Sequence, residues 1–146
     1  MADVTFTDNS DEILRQMAQK IDAGLEACGN QAVSHAKNII TAGVPRHADS
    51  WYTPTGALRN SIKPTVLDGE VQIGTNMEYA IYNEYGTGVY LESDNGVQGR
   101  KSPWAYEGPD GEVHWTRGMK ALHFLKNAID NHKDQYIEII KKYLNK

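Results

Sequence analysis

The chain has 146 residues, a formal net charge of −4 and a single cysteine, with 40% hydrophobic and 23% charged residues. This length is typical of one domain that buries its own core, so we expect a single domain over residues 1–146. The net negative charge argues against a protein that binds nucleic acid over its whole surface. With one cysteine there is no intramolecular disulfide framework. We expect no signal peptide and no membrane span, and the cytosol is the default location.

Residues 1–8 predict a flexible or strand-like lead-in. Asn9, followed three places later by Glu12, predicts the start of a helix with a capping box. Apolar positions then recur at alternating steps of four and three to about Thr41, a period near 3.5 that predicts a long helix packed on another helix or on a sheet. The stripe consists of Leu14, Ala18, Ile21, Leu25, Cys28, Ala32, His35 and Ile39.

Turn signals follow this helix. Gly43 and the prolines after it end the helix, and Thr55 predicts the cap of two helical turns that run to Ile62. Asp68-Gly69 lies between two short β-prone runs, which is the strongest short-range signal for a β-hairpin.

The next stretch, Tyr79–Gly88, reads YAIYNEYGTG. Tyr79, Tyr82 and Tyr85 recur at every third position, which places three rings on roughly one face of a short helix, with Glu84 off that face. Two interpretations are open: an aromatic element packed into the core, or an aromatic contact surface, since tyrosines offer large area at low entropy cost.

Gly86 ends the aromatic element in this interpretation. Glycine is the residue that most readily adopts a positive φ at the end of a helix. We therefore expect Gly86→Ala to destabilise the fold by about 1 kcal/mol or more. Gly86→Asn should cost less, because asparagine tolerates the left-handed region.

The C-terminal part begins with a polar loop at 91–101, which we expect to be mobile and to become ordered on assembly. A second hairpin is predicted around Gly108–Gly111, and a helical stripe runs from Gly118 to the end. The predicted fold class is α+β, with an antiparallel sheet of hairpins, three to five strands in all, packed against a long N-terminal and a long C-terminal helix.

The sequence contains no phosphate-binding loop, no paired histidines at metal-ligand spacing and no nucleophile elbow. Glu84 could form an acid/base pair with Glu92 or with Glu107. On this basis, the alternative interpretation of the protein is a carboxylate-based hydrolase. We favour a structural role, in which Glu84 pairs with Arg59 or Arg100 or satisfies donors beside the tyrosines. We predict no catalytic residues, no metal site and no cofactor.

Three blocks of sequence carry a family resemblance. They are TGALRNSI at 55–62, YAIYNEYGTG at 79–88 and GMKALHFLKNA at 118–128. Together, in this order, they resemble blocks of the tail-completion, or head–tail joining, family of tailed double-stranded DNA phages and prophages. The chain departs from the family pattern at His123 and Asn127, where members often carry proline.

The resemblance implies a non-enzymatic structural virion protein that assembles into a ring at the neck or tail end. Its partners would be further copies of itself and other phage neck and tail proteins, with no membrane and no sequence-specific nucleic acid, although DNA could pass through the ring. It would be found in the virion, and in the host bacterial cytoplasm before assembly. A bacterial protein–protein adaptor is the other non-enzymatic alternative. The expected assembly contacts are Tyr79, Tyr82, Glu84, Tyr85, Arg59 and Arg100.

Overall fold

The computed structural model describes residues 3–43, 56–92, 98–108 and 110–146, and the statements below concern those residues. No helix in these ranges is long and apolar enough to cross a membrane. The elements in chain order are α1 (Ser10–Ala42), α2 (Ala57–Ser61), β1 (Lys63–Leu67), β2 (Glu70–Gly74), α3 (Ala80–Tyr85), a 3-10 turn (Gly88–Tyr90), β3 (Trp104–Glu107), β4 (Val113–Thr116), α4 (Phe124–Asp130) and α5 (Lys133–Leu144).

The α+β class is confirmed, but the described strands form two separate antiparallel hairpins and not one sheet of three to five strands. The first hairpin packs on α1, whereas the second packs chiefly within itself. The segment between β2 and β3 contains α3 and the 3-10 turn. The two hairpins are therefore separated along the chain by this helical segment.

The first hairpin turns at Asp68-Gly69, as predicted, and both residues have positive φ (49° and 81°). This turn geometry matches the right-handed twist of the flanking strands. The hairpin lies directly on α1, because a Cβ at Gly29 would stand only 2.7 Å from both Pro64 and Val71. The glycine therefore sets the close approach of helix and hairpin.

The start of α1 differs in detail from the predicted capping box. Asn9 makes no capping hydrogen bond through its side chain. The Asp8 carboxylate instead accepts the backbone N–H of Ser10 at 2.9 Å. Glu12 accepts hydrogen bonds from the side chains of its neighbours Arg15 and Gln16 on the helix surface, so it is not turned back toward the cap.

The cap predicted for α2, Thr55, lies outside the described residues. Gly56 occupies the N-cap position, with a φ of 79°.

Only the later part of the α1 stripe is buried. The first buried residue of the stripe is Cys28, whereas Leu14 is 63% exposed. The helix α5 runs antiparallel to α1 and ends near Lys20, whose Nζ donates a 2.5 Å hydrogen bond to the carbonyl oxygen of Lys146. The first three turns of α1 therefore extend beyond the body of the protein.

The predicted C-terminal helix is divided at Asn131 and His132 into α4 and α5. Asp, Asn and His are all weak helix formers, so the run Asp130–His132 opposes a continuous helix. The His132 ring stacks on His35 of α1, with centroids 3.5 Å apart. The apolar stripe from Gly118 to the end of the sequence continues through this position, so it did not predict the break.

The core lies where α1, α2, α3 and α4 meet. Phe124 of α4 is completely buried and is the largest side chain in this state. Burying such a side chain contributes about 1.5–3 kcal/mol to folding. The remaining buried residues of this cluster are Val33, Ala36, Ile40, Leu58, Ile62, Ala80 and Ala128.

Candidate assembly surface

The three tyrosines of the aromatic element lie at the surface. Tyr79, Tyr82 and Tyr85 are 39%, 55% and 41% exposed. The short helix α3 instead buries Ala80 and Glu84 against the rest of the protein. Of the two interpretations of this element, the exposed aromatic surface agrees with the structure, and the core element does not.

Glu84 is buried and caps another helix. Its carboxylate accepts the backbone N–H of Leu125 at 2.9 Å and that of Lys126 at 3.0 Å. Both donors belong to the first turn of α4, where N–H groups have no partner within the helix. The residue at the N-cap itself, His123, makes no capping bond through its side chain. A negative charge at this end is also favoured by the helix dipole.

This arrangement corrects the expected pairing of Glu84 with an arginine and agrees with the alternative, in which Glu84 satisfies hydrogen-bond donors. Within the described residues, Glu84 is paired with neither Arg59 nor Arg100, and its burial removes it from any assembly surface. Arg59 donates from Nε to the hydroxyl of Thr41 at 3.1 Å. The guanidinium of Arg100 lies 5.4 Å from the ring centroid of Trp104. Both Glu84 oxygens accept a backbone N–H group of α4.

The chain after α3 is joined to the chain before α4 by backbone hydrogen bonds. The Thr87 N–H donates to the Met119 carbonyl at 2.8 Å, and the Val89 N–H donates to the Arg117 carbonyl at 3.0 Å. The Met119 N–H in turn donates to the Thr87 hydroxyl at 2.9 Å. These bonds fix the aromatic element to the segment that leads into α4.

Two glycines permit this close approach. A Cβ at Gly88 would overlap the carbonyl of Arg117, and a Cβ at Gly118 would overlap the carbonyl of Thr87. The two backbones therefore lie in contact without intervening side chains. We call the contact between 86–89 and 117–121 the glycine junction.

The loop predicted to be mobile at 91–101 makes defined contacts near both ends. The Glu92 N–H donates to the Tyr85 carbonyl at 2.7 Å, and the Glu92 carboxylate lies 2.6 Å from Nε2 of His123. Gly99 packs against the carbonyl of Gly88. Residues 93–97 lie outside the described residues, so mobility and ordering on assembly stay a prediction.

The positive φ expected at Gly86 is confirmed at 79°, but its ψ of −177° changes the prediction for asparagine. Asparagine tolerates the left-handed helical region and not this extended one, which is essentially reserved for glycine. A Cβ would also stand 2.7 Å from the carbonyl oxygens of Met119 and Tyr90. With this geometry, Gly86→Ala and Gly86→Asn should each destabilise the protein by more than about 2 kcal/mol in urea denaturation.

Gly56 provides the matched control for Gly86. It also has a φ of 79°, but its ψ is 0° and the nearest atom to an added Cβ is 3.7 Å away. At this position Gly56→Asn should be less destabilising than Gly56→Ala. An asparagine that is equally well tolerated at Gly86 would contradict the extended ψ of that residue.

Three further apolar side chains in the same stretch of sequence are also exposed. Ile81, Val89 and Tyr90 are 57%, 46% and 38% exposed. We call these three residues, together with Tyr79, Tyr82 and Tyr85, the tyrosine surface. The high density of apolar and aromatic residues between 79 and 91 is the sequence feature from which Ile81, Val89 and Tyr90 could have been predicted as part of this surface.

A second exposed apolar feature lies on β4, where Trp115 is 72% exposed and Val113 is 65% exposed. The alternation of β4 indicates a strand, but nothing local tells which of its faces is covered.

An open apolar cleft of about 350 Å³ lies apart from the tyrosine surface. Its floor is α1 and its two walls are β2 and α5, with Cys28, Val71 and Ile137 among the lining residues. Burial raises the pKa of the Cys28 thiol, which agrees with its interpretation as a small apolar residue.

Comparisons of the chain with protein-family models, with curated proteins and with solved structures find no match. Among the described residues, no three His, Cys, Asp or Glu side chains are grouped so that they could hold a metal ion. The likeness to phage joining proteins therefore depends on the three sequence blocks.

Proposed function

We propose that the chain is a non-enzymatic structural virion protein that forms a ring and acts in head–tail joining or tail completion of a tailed phage or prophage. The main support for the proposal is that the three blocks that resemble this family contact one another in the folded protein.

The first and third blocks meet in the core. Leu58 and Ile62 of the first block pack in one buried cluster with Phe124 and Ala128 of the third. Ala80 of the second block belongs to the same cluster. The residues that carry the resemblance are therefore largely those that build the fold.

The second and third blocks are joined by polar contacts as well. Glu84 caps α4, and the glycine junction holds the backbone after α3 against the backbone before α4. Both devices position α3 without using its tyrosines. The tyrosine surface is thus presented on a fixed scaffold, which lowers the entropy lost when a partner binds.

A closed ring requires one patch of each copy to meet a different patch of the next copy. Tyrosine is enriched at the centre of protein–protein interfaces because its large ring has few rotatable bonds and carries a polar hydroxyl. The tyrosine surface supplies one such patch. In this proposal the other neck and tail proteins bind the completed ring, and DNA passes through it without being read by sequence.

Tyr82 offers the most direct test in the phage. Because Tyr82 is exposed, Tyr82→Ser should change the free energy of unfolding by no more than about 0.5 kcal/mol. A phage or prophage that lacks the gene should accumulate filled heads and separate tails in electron micrographs. Wild-type protein supplied in trans should restore joined virions, and Tyr82→Ser should reduce their yield strongly.

Leu67→Ser is the matched control, because Leu67 is similarly exposed (58%) but lies on the first hairpin. This variant should restore joined virions. Normal virions in the absence of the gene would contradict the proposal and favour an adaptor unrelated to virions. Normal complementation by Tyr82→Ser would show that Tyr82 is not part of the contact.

A further inference from the structure

The N-terminal lead-in carries two large apolar side chains that the described part of the chain leaves uncovered. Val4 and Phe6 are 92% and 93% exposed. They alternate with Thr5 and Thr7, so a strand formed by this segment would place both apolar side chains on one face. An alternating segment of this kind is suited to add to an exposed sheet edge, with its apolar side chains in pockets.

The cleft between β2 and α5 has the complementary properties. Val71 and Ile73 of β2 line it, and no strand other than β1 pairs with β2 in the described part of the chain. The unpaired edge of β2 offers backbone N–H and C=O groups to an added strand. The opposite edge of the hairpin belongs to β1, where Pro64 lacks an N–H.

The lead-in cannot reach the β2 side of the cleft in its own chain, because Val71 of β2 packs beside Gly29, the neighbour of Cys28 on α1. Cys28, on the floor of the cleft, follows Ser10 by 18 residues of α1, a distance of about 27 Å along the helix axis. Phe6 precedes Ser10 by four residues and reaches at most about 14 Å from it when extended. Even a chain that turned straight back would leave Phe6 roughly 13 Å short of Cys28.

We propose that residues 3–7 of one copy add as a strand to the free edge of β2 in a second copy and place Val4 and Phe6 in the apolar cleft. The inference rests on the ring-forming part of the proposed function and names one of its contacts. Lead-in and cleft are different surfaces of one chain, so the contact is heterologous and can propagate around a ring.

The charges next to these surfaces agree with the contact. Asp3 and Asp8 flank the apolar pair of the lead-in, and Lys141 lines the cleft. Lys141 lies 3.5 Å from Glu138 in the isolated chain, in an exposed pair that is screened by solvent and easily exchanged. The apolar side chains supply the main attraction, and the charges favour one orientation of the lead-in.

Mixing two single-cysteine proteins tests the contact between copies. Both carry Cys28→Ala. One carries Val4→Cys, which nearly preserves the side-chain size and keeps Phe6, and the other carries Ile137→Cys at a half-exposed position that lines the cleft. Under mild oxidation at high protein concentration, we expect a disulfide-linked heterodimer. Docking raises the effective thiol concentration, so its formation should be at least roughly tenfold faster than for a non-contacting pair.

The control pairs Val4→Cys with Val113→Cys, which is exposed on the second hairpin, again in the Cys28→Ala background. Equal rates for the two pairs, or no heterodimer with Ile137→Cys, would overturn the proposed contact. If native mass spectrometry of the same wild-type sample still shows closed oligomers, only the lead-in contact fails. If no oligomer forms under any condition, self-assembly fails as well.

Discussion

Gly88→Ala is expected to destabilise the protein by more than about 4 kcal/mol, which places it among the most severe single substitutions. The added Cβ would overlap the carbonyl group of Arg117. The backbone of Arg117 cannot move away without breaking the hydrogen bond that its carbonyl accepts from the Val89 N–H. The φ of 61° adds strain for any residue with a side chain. Urea denaturation followed by circular dichroism measures the loss, and failure to recover folded protein is its extreme form.

Gly74→Ala is the matched control, because a Cβ at Gly74 would meet nothing within 4 Å and its φ is not positive. This change should alter the free energy of unfolding by less than about 1 kcal/mol. A Gly88→Ala protein as stable as Gly74→Ala would contradict the glycine junction.

Glu84→Ala is expected to destabilise the protein by about 2–4 kcal/mol, because it leaves two N–H groups of α4 without their acceptor and removes a favourable charge from the helix end. Glu84→Gln should lose less, roughly 1–2 kcal/mol, since one amide oxygen still accepts a hydrogen bond. The amide protons of Leu125 and Lys126 should exchange faster with solvent in both variants. Hydrogen-exchange NMR measures this local effect separately from global unfolding.

Glu78→Ala is the control for Glu84, because Glu78 is an exposed glutamate just before α3. It should leave the stability and the exchange of the α4 amides unchanged. Equal effects of Glu84→Ala and Glu78→Ala would mean that the capping contact contributes nothing.

Features that depend on neighbouring residues were predictable from the sequence. The turn at Asp68-Gly69 follows from the backbone preferences of two adjacent residues, and the first helix follows from its apolar period. The tyrosines could be assigned to one face of a helix. Their spacing did not tell whether that face is buried, because burial depends on what the rest of the chain places against it.

Donor satisfaction was one of the two structural roles expected for Glu84, but its donors could not be predicted, because its carboxylate and its partner Leu125 are 41 residues apart. One local signal was available: α4 begins after Leu122-His123 without a Ser, Thr, Asp or Asn that could cap it. A helix start of that kind needs an acceptor from elsewhere in the fold. The expected pairing with Arg59 or Arg100 failed because opposite charge alone does not specify proximity.

The sequence pattern likewise did not predict how much of each helix is covered by the rest of the protein. The apolar stripe of α1 continues to Leu14, but its partner helix α5 ends before it can cover that turn. A stripe predicts a face that is suited to packing and not the length of what packs on it. The uncovered apolar residues at this end agree with an interface between copies.

The glycine junction and the Glu84 cap have a shared consequence for function. Both fix α3 through backbone groups and a buried carboxylate, while Tyr79, Tyr82 and Tyr85 are exposed at the surface. A rigid contact surface loses less entropy on binding than a mobile one. We therefore expect variants of the junction to weaken assembly even under conditions in which they remain folded.

Native mass spectrometry of the full-length protein, alone and with proteins encoded by neighbouring genes, tests the central claim most directly. We expect one closed oligomer of defined copy number, formed at high protein concentration or on addition of a neck or tail partner. Tyr82→Ser should shift this species to smaller ones. A protein that stays monomeric across all concentrations and with every such partner, or that binds partners only as a single copy, would contradict ring assembly.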